Sequence, residues 1–150
     1  MATTHNRVEV MHGVNFDVLE RRDPEIYGGL ALIELENRIK HWARDLDLEA
    51  RFFQSNSEGE FVEHLHRLPE IADAVVINAG AWTHYSRAIG DALELARVPA
   101  VEVHISEIHS REEWRRVSVF EGMVVTQVSG KGPDGYREAL EILARELEVG

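Results

Sequence analysis

Cysteine is absent from these 150 residues, which excludes disulfides, thiol nucleophiles and cysteine-ligated metals and fits a reducing compartment. Lysine is scarce as well. Only Lys40, within a helical pattern, and Lys131, in a loop, are present, so Schiff-base chemistry has little to work with. Positive charge as a whole is short: 16 Lys plus Arg stand against 27 Asp plus Glu, a formal net charge of −11. That field repels phosphate backbones and anionic bilayers, so neither nucleic acid nor membrane is an expected partner. No apolar run approaches the roughly 18 residues of a membrane span, and the start "MATTHNRVEVMHG" has no basic segment leading into an apolar one. A cytoplasmic location is expected. Nucleotide motifs are missing too: no GxGxxG follows a strand, no GxxxxGK precedes Ser or Thr, and "GKGPDG" at 130–135 fits neither.

What is present is alternation. Short apolar runs at Val8 to Met11, Ala50 to Phe53, Ala74 to Asn78, Ala100 to His104 and Met123 to Val128 read as strands buried on both faces. Between them, Leu32, Leu35, Ile39, Trp42 and Leu46 recur at helical spacing, as do Phe61 to Leu68, Ala88 to Ala96 and Tyr136 to Leu147. Ser57 with Glu60 and Ser110 with Glu113 have capping-box spacing, and the fourth of the five helices is expected to be short. This β-α order predicts an α/β fold: a five-stranded parallel sheet between two helical layers, doubly wound and flavodoxin-like. The length suits one domain over 1–150.

Ligands bind such sheets beyond the carboxyl ends of the strands. That rule selects His12 to Asn15, Gln54 to Ser57, Asn78 to His84, His104 to Ser106 and Ser129 to Gly132. The long segment at 12–29 reads as a lid and holds Arg21, Arg22 and Tyr27. Tyrosine serves as a base only where a nearby cation stabilises the phenolate; otherwise Tyr27 simply packs. Glu102 and His104 lie two apart on a strand and share a face, the arrangement of a carboxylate orienting an imidazole acid or of a strand end with one satisfied histidine. His12, His84 and Glu102 or His104 could also hold a metal, without a characteristic spacing. His84 and Asp91 are two turns apart on one face of the third helix, with His84 in its first turn; both could equally be solvent-facing. Arg115, in "SREEWRR", either meets a carboxylate substrate or belongs to a solvated helix. The residues thus describe a polar edge suited to an anionic metabolite and proton transfer.

The blocks "RRDPEIYGG", "FFQSNSEGEFVEHLH", "VINAGAWTHYSRAIGDAL", "VEVHISEIHSREEWRR" and "GPDGYREAL" resemble, in order, the type II 3-dehydroquinate dehydratases, over about residues 8 to 147. The resemblance implies anti elimination of water from 3-dehydroquinate through an enolate, with no cofactor, metal or Schiff base. Tyr27 would be the base, Arg22 would stabilise its phenolate, and Asn15 would hold the water at the enolate. His104, oriented by Glu102, would protonate the leaving hydroxyl. Asn78, His84 and Arg115 would bind ring hydroxyls, and the Ile105 and Ser106 amides the carboxylate. Asp91 would reach a neighbour's site in a homododecamer, a tetramer of trimers. The role could be aromatic biosynthesis or quinate breakdown, and the alternative is a non-catalytic or substrate-shifted homologue that binds a related cyclic hydroxy acid. The family usually has Pro at Val14, Asn at Asp17, Gly at Glu20 and Asn at Glu107; acids pointing inward there would weaken anion binding.

Overall fold

The computed structural model describes residues 5–148. Five strands, β1 (Arg7–His12), β2 (Glu49–Gln54), β3 (Ala74–Asn78), β4 (Ala100–His104) and β5 (Thr126–Ser129), form one sheet in the order β2-β1-β3-β4-β5. Every pairing is parallel. The helices are α1 (Pro24–Tyr27), α2 (Leu32–Asp45), α3 (Glu58–Ile71), α4 (Arg87–Ala96) and α5 (Asp134–Glu146). This is the flavodoxin-like doubly wound fold, with its switch point between β1 and β3.

Strand side chains alternate between two cores. Val8, Val10, Val76, Val101 and Val103 meet Leu35 and Ile39 of α2 and Leu140 and Leu143 of α5. On the other face Met11, Val75 and Ile77 meet Phe61, Leu65 and Leu68 of α3 and Ile89 and Leu93 of α4. The helical spacing of these residues puts each set on one stripe, which is why the helices form and where they dock. Two expectations need correction. β5 begins at Thr126, because 119–125 is taken up by turns. The expected short fourth helix is a pair of 3-10 turns, Ile108–Ser110 and Glu113–Arg116. Their caps are Glu107 and Glu112, and Ser110 donates its hydroxyl to the Glu107 carbonyl rather than forming a capping box with Glu113.

At the amino end of the sheet, Asp73 latches Arg7. Its carboxylate accepts from the Arg7 backbone N–H at 2.8 Å and from the guanidinium at 3.1 Å through both oxygens. These bonds hold the Asp73 carboxyl below its ordinary pKa, so the stabilisation is present above that range and is lost as pH falls through the folded value. Asp73→Asn should lower stability by about 1 kcal/mol at pH 7, because Arg7 remains partly exposed. The gap from the unsubstituted protein should shrink below the ordinary value of 3.8. Urea unfolding at both pH values measures it, and a gap that persists in acid would count against the latch.

At the opposite end the chain crosses itself closely. A Cβ on Gly13 would lie 2.2 Å from the Ala79 carbonyl oxygen, and the Gly13 N–H bonds to the Asn78 carbonyl at 2.8 Å. Neither contact is with a flexible side chain. Gly13→Ala should therefore cost about 3 kcal/mol or more, the upper range for overpacking. An unchanged unfolding midpoint would be incompatible with this crossing.

Candidate active site

The carboxyl ends of β1, β3 and β4 open into a cavity of about 330 Å³. Its lining includes Asn15, Arg22, Tyr27, Asn78, His84, His104, Ile105, Ser106 and Arg115. The expected site residues are thus brought together, with two exceptions. Glu102 lies one step behind His104, and Asp91 is exposed on α4, away from this chain's cavity.

Asn15 ends the passage out of β1 in the left-handed region, φ 73°, which asparagine tolerates better than most residues. Its N–H is held by the Asn56 side chain at 2.8 Å. The segment that follows is folded: a 3-10 helix over Phe16–Arg21, then the single turn of α1. Asp23 caps that turn by accepting from the Glu25 N–H, Pro24 supplies its first position, and Gly28, at φ 86°, ends it. Tyr27 is its last residue. The Tyr27 hydroxyl oxygen accepts from Arg22 at 2.5 Å and from Arg111 at 2.7 Å. The Arg22 guanidinium also lies 4.1 Å from the ring centroid. Arg21 is exposed.

β4 projects Glu102 and His104 to the same side, and His104 Nε2 meets a Glu102 carboxylate oxygen at 2.5 Å. Both are almost fully buried. His84 stacks on His104 at 6.0 Å. It closes a 3-10 turn over Gly80–His84, and α4 starts only at Arg87 after the Ser86 cap; the expected place in the first turn of that helix is corrected. Burial pushes the His84 pKa down, partly offset by its bond to the Val117 carbonyl. A carbonyl only accepts, so His84 Nδ1 carries the proton of this bond at 2.7 Å and a neutral ring keeps Nε2 as an acceptor.

Asn78 donates to the Tyr136 hydroxyl at 3.1 Å and accepts from the Gly80 N–H at 3.2 Å, which fixes its amide at the cavity floor. Burial pushes the Tyr136 pKa up, so it remains a phenol. The carbonyls of Ile105 and Ser106 accept from Gly132 and Gly130, clamping the turn after β4. Arg115 bonds to Glu112 at 3.2 Å and lies over Trp114.

His12 does not join the cavity. It packs on the α2 and α5 side of the sheet among Phe16, Phe52 and Tyr136, 3.2 Å from Glu36. Among the described residues, no group of three or more His, Asp or Glu is placed to hold a metal. Asp17, Glu20 and Glu107 are exposed and absent from the cavity lining; Asp17 accepts from Asn56, while Glu107 accepts from His109 and Ser129. The residue that sequence reasoning missed is Arg111. Its only signal is a position four before Arg115 in the same run, which puts both near the β4 edge.

The sequence pattern described as "Dehydroquinase class II" matches residues 6–144. A 3-dehydroquinate dehydratase of Thermotoga petrophila is 50% identical over 142 residues, covering 95% of this chain and 97% of that protein. One from Syntrophotalea carbinolica is 48% identical over 144 residues, covering 95% and 97%. The crystal structure of type II dehydroquinase from Propionibacterium acnes superposes with a TM-score of 0.89 at 38% identity, covering 93% of this chain and 97% of that one. No helix among the described residues is long and apolar enough to cross a membrane. With one pattern spanning nearly its whole length and relatives at about half identity, the chain belongs to the class II dehydroquinase family.

Proposed function

We propose that this protein is a 3-dehydroquinate dehydratase that eliminates water through an enolate, with Tyr27 as base and His104 as acid. One observation carries the reading: the Tyr27 oxygen lies between the Arg22 and Arg111 guanidiniums in the same cavity that receives the Glu102-backed imidazole of His104. Proton abstraction beside a ketone needs a base and stabilisation of the enolate, while loss of hydroxide needs an acid. Tyr27 takes the C2 proton and leaves the electron pair as an enolate, with Asn15 holding the water that stabilises it. Collapse of the enolate expels the C1 hydroxyl, which His104 protonates to water, giving 3-dehydroshikimate.

The remaining lining residues orient the ring. Asn78, Arg115 and the acceptor nitrogen of His84 meet hydroxyls, and the Ile105 and Ser106 amides meet the carboxylate. The arginines offset locally a net charge of −11. In a homododecamer built as a tetramer of trimers, Asp91 would complete the site of a neighbour; the exposed Tyr85, Trp114 and Val117 supply apolar surface for such packing.

The test is a spectrophotometric assay with 3-dehydroquinate, following the conjugated enone of 3-dehydroshikimate. Turnover that survives a chelator is expected. A folded protein with no turnover would overturn the reading, and chelator sensitivity would revive a metal-dependent mechanism.

A further inference from the structure

Glu102 is 1% exposed, and a buried carboxylate needs each of its oxygens satisfied. One oxygen accepts from the Ser118 hydroxyl at 3.0 Å. The other takes His104 Nε2 and also the Gln127 side-chain amide, at 3.1 Å. An ionised carboxylate only accepts, so Gln127 must turn its NH₂ toward Glu102 and its carbonyl away. That carbonyl meets His109 Nε2 at 2.8 Å, which requires His109 to donate. A single direction of donation therefore runs from His109 to Gln127 to Glu102.

The chain joins two cavities. His104 lines the one that holds Tyr27, whereas Glu102, Ser118, Gln127 and His109 line another of about 280 Å³, and the two share no lining residue. The bond between Glu102 and His104 spans the partition. We infer that Gln127, oriented by His109, is a positioning residue that sets how strongly Glu102 holds the His104 proton. This rests on the reading of His104 as the acid. A donor on the Glu102 oxygen withdraws negative charge from the atom that faces the imidazole; without it, Glu102 binds the proton more tightly and the acid gives it up less readily. The other titratable and charged groups are Arg22, Tyr27, His84, Arg111 and Arg115, which line the His104 cavity, and Arg116 and Glu121, which line the second.

The test compares Gln127→Met, which keeps length and removes the donor, with His109→Leu and His109→Gln. His109 is exposed, so its variants should fold normally. Gln127→Met should lower kcat about tenfold with KM within twofold, and move the alkaline limb of the kcat profile to higher pH. His109→Leu should do the same to a smaller degree, and His109→Gln, which still offers an N–H, should restore the original profile. A nuclear magnetic resonance titration of the His104 ring gives the same comparison without turnover. An upward shift in Gln127→Met supports the positioning role, while an unshifted titration and limb in both Gln127→Met and His109→Leu overturn it. Absence of turnover in the unsubstituted protein would instead strike at the proposed reaction.

Discussion

Tyr27→Phe should lower kcat by about 10²- to 10⁴-fold, the contribution of a positioned acid–base group, while the affinity for a product or inert analogue changes only a few-fold. The ring is retained, so the contact with the Arg22 guanidinium 4.1 Å from its centroid survives. Only the oxygen that accepts from Arg22 and Arg111 is lost. Both arginines keep their charge and can still face an anionic ligand. Rate and affinity therefore part company. Steady-state kinetics beside calorimetric binding measures the two quantities, and a near-normal rate would move the base to another residue. A parallel collapse of affinity would instead make Tyr27 a ligand-binding group.

His104→Ala should produce a fall of similar size in kcat together with a loss of stability. Removing the imidazole leaves Glu102 buried, with only Ser118 and Gln127 as donors. Depriving a buried carboxylate of one hydrogen-bond donor costs about 1–3 kcal/mol. His104→Asn separates the effects, because its amide can still donate toward Glu102 but cannot serve as an acid near neutral pH. Denaturant unfolding should find Asn between Ala and the unsubstituted protein, while both variants stay equally slow. A fast His104→Asn enzyme would be inconsistent with acid catalysis at this position.

Particular residues explain what sequence alone makes legible. Strands buried on both faces read as short, mostly apolar runs, so Ala74 to Asn78 and Ala100 to His104 are found with their observed ends. Glu102 and His104 are recognisable because a strand alternates strictly, and neighbours two apart must share a face. His12 defeats the same kind of reading: it stands at the right end of the sheet, yet its side chain goes to the α2 and α5 side. Which end of a strand carries a residue is visible in one dimension; the face it occupies depends on register.

Arg111 is harder to find. "SREEWRR" has the composition of a solvated helix, and nothing local distinguishes Arg111 from Arg116. The contact that matters joins residues 84 positions apart, because the switch point brings the segment after β1 over the segment after β4. The segment between β1 and α2 poses a related problem. Its length is evident, but the one-turn helix within it depends on the Asp23 cap and the positive φ of Gly28.

Two cations reach the Tyr27 oxygen, but from different bodies. Arg22 travels with Tyr27 on the segment between β1 and α2, whereas Arg111 is anchored to the turn after β4 and also bonds to Ser106 at 3.3 Å. Lifting that segment would take the phenol away from Arg111 and leave it with Arg22 alone. The tyrosine would then have its full complement of positive charge only with the entrance shut, so closure would work as an interlock. Proton abstraction would be armed by the same movement that shuts the enolate off from bulk solvent and leaves it only the water at Asn15.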